Sequence, residues 1–179
     1  MKIIKNTLLL VSGLIAIIPG FMILKTSIGV PSPDLESLFF GVLEATGCLA
    51  ILLLLLNKEK IKTRTNDKKS KYTLLLFFLF ILGLVIYIYL FNSCVIETPY
   101  SKGFFPLFLT DDLSREVLEA GGKIQFVEKW MTDGSKNIIQ KTAGTSLSIT
   151  VIIFLLIYTL TLTSLISSFV IASINIDDE

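Results

Sequence analysis

Few residues in this chain have chemistry to offer, and Glu44 comes first. It is the one ionisable side chain inside the apolar run Leu38–Leu56, about 12 Å into a helix that begins near Glu36, by the helical rise per residue. A carboxyl at that depth is costly in hydrocarbon and usually faces protein or water. Gly41, Glu44, Ala45 and Cys48 share one helical arc, whose small residues let another backbone approach, so the arc is expected to face a helix contact. Two roles are open to the acid: an ion site or pH- or ligand-sensitive lock, or a neutral carboxyl bonded to a neighbouring hydroxyl or carbonyl. The last apolar run offers partners. Thr159, Thr163 and Ser167 form one stripe, Thr161, Ser164 and Ser168 the next, and Tyr158 lies at about the depth of Glu44. Such hydroxyls line a watery route or bond back to the carbonyl one turn earlier. Helix packing is the expected role.

Much chemistry is excluded. The 179 residues contain no histidine, which removes Ser-His-Asp and Cys-His catalysis and the usual zinc sites. No catalytic residue, metal or cofactor is expected, and the chain reads as a non-enzyme. Cys48 lies within one apolar run and Cys94 at the end of another, so no disulfide framework is available and only an intermolecular bridge through Cys94 is conceivable. With 16 basic against 15 acidic residues, no surplus of charge points to direct contact with nucleic acid.

The elements that must position these groups are membrane spans. Apolar residues make up 53% of the chain and charged residues 17%, and the mean hydropathy is +0.75, well above a soluble domain. Four segments are long enough to cross the hydrocarbon as helices: Thr7–Leu24, Leu38–Leu56, Tyr72–Phe91 and Leu147–Ile171. The expected fold is an all-α, polytopic membrane protein, a four-transmembrane-helix bundle with a small helical extracytoplasmic cap between the third and fourth helices. Lys2, Lys5 and Pro19-Gly20 around the first segment imitate a signal peptide, but no small-x-small cleavage site follows, so it is read as a span kinked at Pro19. Tyr72 at one end of the third span, and Tyr87, Tyr89 and Phe91 at the other, read as aromatic anchors.

Basic residues set the orientation. The 57–71 connector carries Lys58, Lys60, Lys62, Arg64, Lys68, Lys69 and Lys71, whereas Lys25–Ser37 carries Lys25 beside Asp34 and Glu36. By the positive-inside rule the lysine loop and both termini face the cytoplasm. The domains are then 1–91 (three spans and the basic loop), 92–146 (the outer cap) and 147–179 (the fourth span and acidic tail). Only 29 residues in three pieces lie inside, too few for a cytoplasmic domain. Any intracellular output must pass through a partner or the membrane. The loop, +5 over 15 residues, can hold anionic lipid headgroups or an acidic patch on a cytoplasmic protein.

The outer connector has 55 residues, near the lower limit for independent folding. Phe104–Leu109 is an apolar stretch broken by Pro106; it is expected to pack on the subunit, the other reading being a membrane or partner wedge. Thr110 or Asp111 can cap a helix through Ala120, with Asp111 and Asp112 at its positive end and Gly121-Gly122 as its stop. Lys123–Met131 reads as a second amphipathic helix anchored by Trp130, with a turn at Asp133-Gly134 and a break at Gly144 before the last span.

The layout resembles the membrane subunit of the bacterial Kiwa anti-phage defence system: four spans, cytoplasmic termini and the outer segment Asn92–Ser146 between the third and fourth. The resemblance implies a homo-oligomer, such as a tetramer, in the bacterial inner membrane, responding to phage attachment and working with a cytoplasmic DNA-binding partner. On that reading Phe105, Asp111, Asp112 and Trp130 serve the outer response, Glu44 with Thr159 a transmission element, and the lysines of 58–71 the inner contact. Small four-span effectors that damage the membrane on activation share the outline, and an oligomeric pore is the alternative. Small multidrug-resistance exporters also have four spans and an intramembrane glutamate, but their loops are minimal.

Overall fold

The computed structural model describes residues 31–57 and 69–173. A short 3-10 turn, Pro33–Leu35, precedes α1 (Glu36–Leu56); α2 (Lys69–Cys94) is followed by a hairpin of β1 (Val95–Glu97) and β2 (Lys102–Phe104), then α3 (Asp111–Glu119), α4 (Lys123–Ala143) and α5 (Thr145–Ser173). The chain is mostly helical, and α1, α2 and α5 are long and apolar enough to cross a membrane. They coincide with the second, third and fourth expected spans. The first, Thr7–Leu24, lies outside the described residues, as do Lys58, Lys60, Lys62, Arg64, Lys68 and the acidic tail. All three long helices are apolar around their whole circumference, the pattern of a helix whose backbone bonds are closed internally and whose sides meet hydrocarbon.

The chain divides into two compact units. One contains 36–85 and 158–179. Here Phe39 and Leu43 of α1 are buried, and the Phe39 ring tilts against Tyr158 at 5.4 Å between centroids. Ile166 and Val170 of α5 pack with Ile51 and Leu54. α2 and α5 come close at Gly83, where a Cβ would collide with the Thr161 hydroxyl, and the Ser168 hydroxyl donates to the Thr73 carbonyl at 3.2 Å.

The other unit contains 31–35 and 86–157 and is built differently. Its core is Phe105, Leu113, Val117, Phe126, Val127, Ile139 and Ala143, with the Phe105 and Phe126 rings edge to face at 5.8 Å. The hairpin pairs Val95 with Phe104 and Glu97 with Lys102, and Gly103 lies so close to Val127 that a side chain would not fit. Thr110 caps α3: its hydroxyl accepts the Leu113 N–H at 3.4 Å and donates to the Thr142 carbonyl at 2.7 Å. Gly121 and Gly122, at φ 93° and 125°, end that helix as expected.

Three features depart from the sequence reading. The hairpin interrupts what was expected to be all-helical. α4 does not turn at Asp133-Gly134; it breaks at Met131 (φ 57°, ψ −179°) and continues to Ala143. Tertiary bonds fix the break there, because Thr132 just after it accepts the Lys102 N–H at 3.1 Å and buried Ser135 donates to the Thr132 carbonyl at 3.0 Å. Tyr87, read as a boundary anchor, is 3% exposed and packs edge to face on Phe154 at 5.5 Å, whereas Tyr72 and Tyr89 are exposed.

Candidate functional site

The arc of Gly41, Glu44, Ala45 and Cys48 is exposed rather than covered. A Cβ on Gly41 would meet nothing within 4 Å. The buried side of α1 carries Phe39, Leu43 and Gly47 instead, because in a helix apolar all round the large ring gains more from contact than a small-residue face does. Glu44 makes no hydrogen bond or ion pair with any described residue. Cys94, the candidate for an intermolecular bridge, is buried, and Cys48 is exposed.

Two hydroxyls of the stripes bond back along their own helix, and Ser168 bonds across to the Thr73 carbonyl. Thr163 donates to the Thr159 carbonyl and Ser164 to the Leu160 carbonyl, both at 2.7 Å. Thr46 on α1 does the same with Val42 at 2.7 Å. Thr159 differs: its hydroxyl is buried and has no hydrogen-bond partner among the described residues. No hydrogen bond joins it to Glu44.

The residues assigned to an outer response separate into core and surface. Phe105 is fully buried, with the Lys123 ammonium over its ring at 5.2 Å; in the same stretch Phe108 and Leu109 are exposed. Asp111 and Asp112 are exposed, Asp112 pairing with Arg115 at 3.2 Å. Trp130 does not anchor its helix: it is 40% exposed, with Lys129 over its ring at 5.1 Å, and Phe126 and Val127 supply the buried face. Of the inner lysines, Lys71 is exposed on the first turn of α2 and Lys69 begins that helix.

Several residues that organise this unit were invisible in the sequence. Buried Thr150 accepts the Leu107 N–H at 2.9 Å and donates to the Ser146 carbonyl at 2.8 Å, while the Ser146 hydroxyl donates to the Phe108 carbonyl. The segment after Pro106 is thereby tied to the first turns of α5. The i,i+4 spacing of these hydroxyls was a signal, but it is shared by hydroxyls that only bond back. Asp34 and Lys136 form an ion pair at 2.5 Å beside a cavity of about 180 Å³, a pairing across about a hundred residues that no local pattern announces.

Among the described residues the fold is therefore mostly helical, with three helices of membrane-crossing length and a compact unit, with its own core, between the second and third of them in sequence. The chain matches no known protein family, no characterised protein and no solved structure. Among the described residues no group of histidines, cysteines or carboxylates is placed to hold a metal ion.

Proposed function

We propose that this chain is a non-enzymatic inner-membrane sensor or scaffold subunit of a bacterial anti-phage complex. It works as a homo-oligomer that detects an envelope event through the segment between α2 and α5 and relays it to a cytoplasmic protein partner. One observation carries this reading: that segment is a folded unit with a buried aromatic core and a hydroxyl-capped helix, far more than joining two spans requires. The lysine loop is the docking element, for a partner or for anionic lipid.

A second reading, an oligomeric pore-forming effector, draws on the exposed position of Glu44, which an assembly could place along a conduit. A pull-down in mild detergent from the native host, with mass spectrometry and a mass for the complex, separates the two. A stoichiometric soluble partner, lost when Lys60, Lys62, Lys68 and Lys69 are neutralised, is the result expected of the sensor. A homo-oligomer without a partner that conducts ions in liposomes, and stops doing so with Glu44→Gln, would replace it with the pore.

A further inference from the structure

The cavity of about 180 Å³ in the second unit combines two kinds of wall. One is cationic and polar: Lys102 from β2 and Lys136 from the second half of α4, with Asp34 bridging to Lys136. The other is apolar: Phe104, and Leu147 and Val151, one turn apart at the start of α5. By the space a water needs, such a volume takes on the order of ten non-hydrogen atoms.

The charges are not balanced within the site. Lys136 has a carboxylate partner, whereas among the described residues the Lys102 ammonium forms no ion pair and lies over the Phe91 ring, 5.4 Å from its centroid. Glu97 stands opposite Lys102 across the hairpin yet forms no ion pair with it. Lys102, Lys136 and Asp34, the charged residues among those lining the cavity, carry one net positive charge. The Asp34–Lys136 pair is itself partly exposed, and pairs of that kind stabilise a fold by no more than about 1 kcal/mol. An incoming anion can displace Asp34 from Lys136 at small cost, and Lys102 lines the same cavity.

Position narrows the class of anion. Phe91 closes the third span expected from the sequence, and Leu147 opens the fourth, so these residues belong to the same end of both spans. A cationic wall beside apolar residues at a span end matches an amphiphile with an anionic head and an apolar body.

We infer that this cavity binds the phosphate headgroup of an anionic glycerophospholipid. Lys102 and Lys136 take the phosphate oxygens, and the glycerol and first acyl carbons lie along Phe104, Leu147 and Val151. Asp34 occupies Lys136 when the lipid is absent and competes with it. The inference stands apart from the sensor reading, because its readout is lipid retention by the purified chain and requires no partner or defence phenotype.

The test uses the full-length protein in an uncharged detergent, with native mass spectrometry counting retained lipid after addition of phosphatidylglycerol, phosphatidylcholine or glycerol 3-phosphate. Phosphatidylglycerol is expected to be retained at least fivefold over phosphatidylcholine. Lys102→Gln and Lys136→Gln should each lower that retention severalfold, and Asp34→Asn, which removes the competitor and disturbs no packing, should raise it. Lys129→Gln removes the same charge from an exposed lysine outside the cavity and should change nothing. Equal loss with Lys129→Gln, or equal retention of the two lipids, would overturn the site. Retention of glycerol 3-phosphate as strong as that of phosphatidylglycerol would overturn the lipid assignment and make the anion a soluble phosphate.

Discussion

The two units of this chain solve the burial problem in opposite ways. In the unit of 86–157, segments as short as nine residues alternate apolar and polar positions, and their apolar faces meet: Leu113 and Val117 of α3 are buried four residues apart while Asp111, Asp112 and Arg115 stay in solvent. In the unit holding α1, α2 as far as Val85 and α5 from Tyr158, large apolar side chains such as Leu52, Leu74, Phe78 and Leu82 remain exposed. Water would punish that arrangement; hydrocarbon does not. The first unit is held by side chains leaving water, the second by how closely backbones can approach, so the same kind of substitution should act differently in each.

Truncating a core ring provides the largest contrast. Phe126→Ala removes a fully buried side chain from the aromatic core and should cost about 3–5 kcal/mol, whereas Phe78→Ala, at 59% exposure on α2, should change stability by less than about 0.5 kcal/mol. Chemical denaturation in detergent measures both. Trp130, the single tryptophan, gives a fluorescence signal from the compact unit. Equal losses at the two positions would mean that the exposed face of α2 is packed in the assembled protein.

At Gly83 the membrane-type unit should be sensitive to a single added methyl. An added methyl meets the Thr161 hydroxyl, with the Thr161 Cβ at 3.2 Å, so Gly83→Ala is expected to destabilise by about 1–2 kcal/mol through overpacking. Thr161→Ala in the same chain should recover part of that loss. A double-mutant cycle reads the coupling, and purely additive effects would show that the two helices part at this point when assembled.

How much of this was legible follows from which forces leave a local pattern. Three span helices, the Thr110 cap and the Gly121-Gly122 stop were readable because length, hydropathy and capping chemistry act over a few residues. The rotation of α1 was not, since an apolar circumference has no preferred face and the small-residue arc of Glu44 is not the side buried among the described residues. The hairpin was missed because Val95–Glu97 and Lys102–Phe104 are three residues each, too short for alternation to declare itself. Met131 adopts a positive φ that favours glycine, against every local preference; only the bonds of Thr132 and Ser135 explain its place. The cavity lysines failed to stand out for the same reason, being thirty-four residues apart in a chain whose charges cluster elsewhere.

A legible feature makes the next test within the compact unit. Thr110→Ala removes both the cap of α3 and the bond to the Thr142 carbonyl, with an expected loss of about 1–2 kcal/mol. Thr110→Ser keeps the oxygen and should recover most of it. If serine fails to rescue, the methyl group rather than the hydroxyl is what α3 requires, and the capping account falls.

The smallest effect on the folded chain is expected at the exposed face of α1, where it says most about assembly. Gly41 has open space around it, so within one chain Gly41→Ala should gain about 0.5–1 kcal/mol from helix propensity alone. A homo-oligomer has reason to use this face, because four small or acidic positions leave room for a second backbone and Glu44 would then find a partner outside its own chain. Gly41→Leu should then lower the mass of the detergent-solubilised complex while leaving the Trp130 unfolding signal unchanged, and Glu44→Gln should loosen it less. If the complex keeps its mass with leucine at position 41, this face is not the interface, and Glu44 must be satisfied by something other than a second copy.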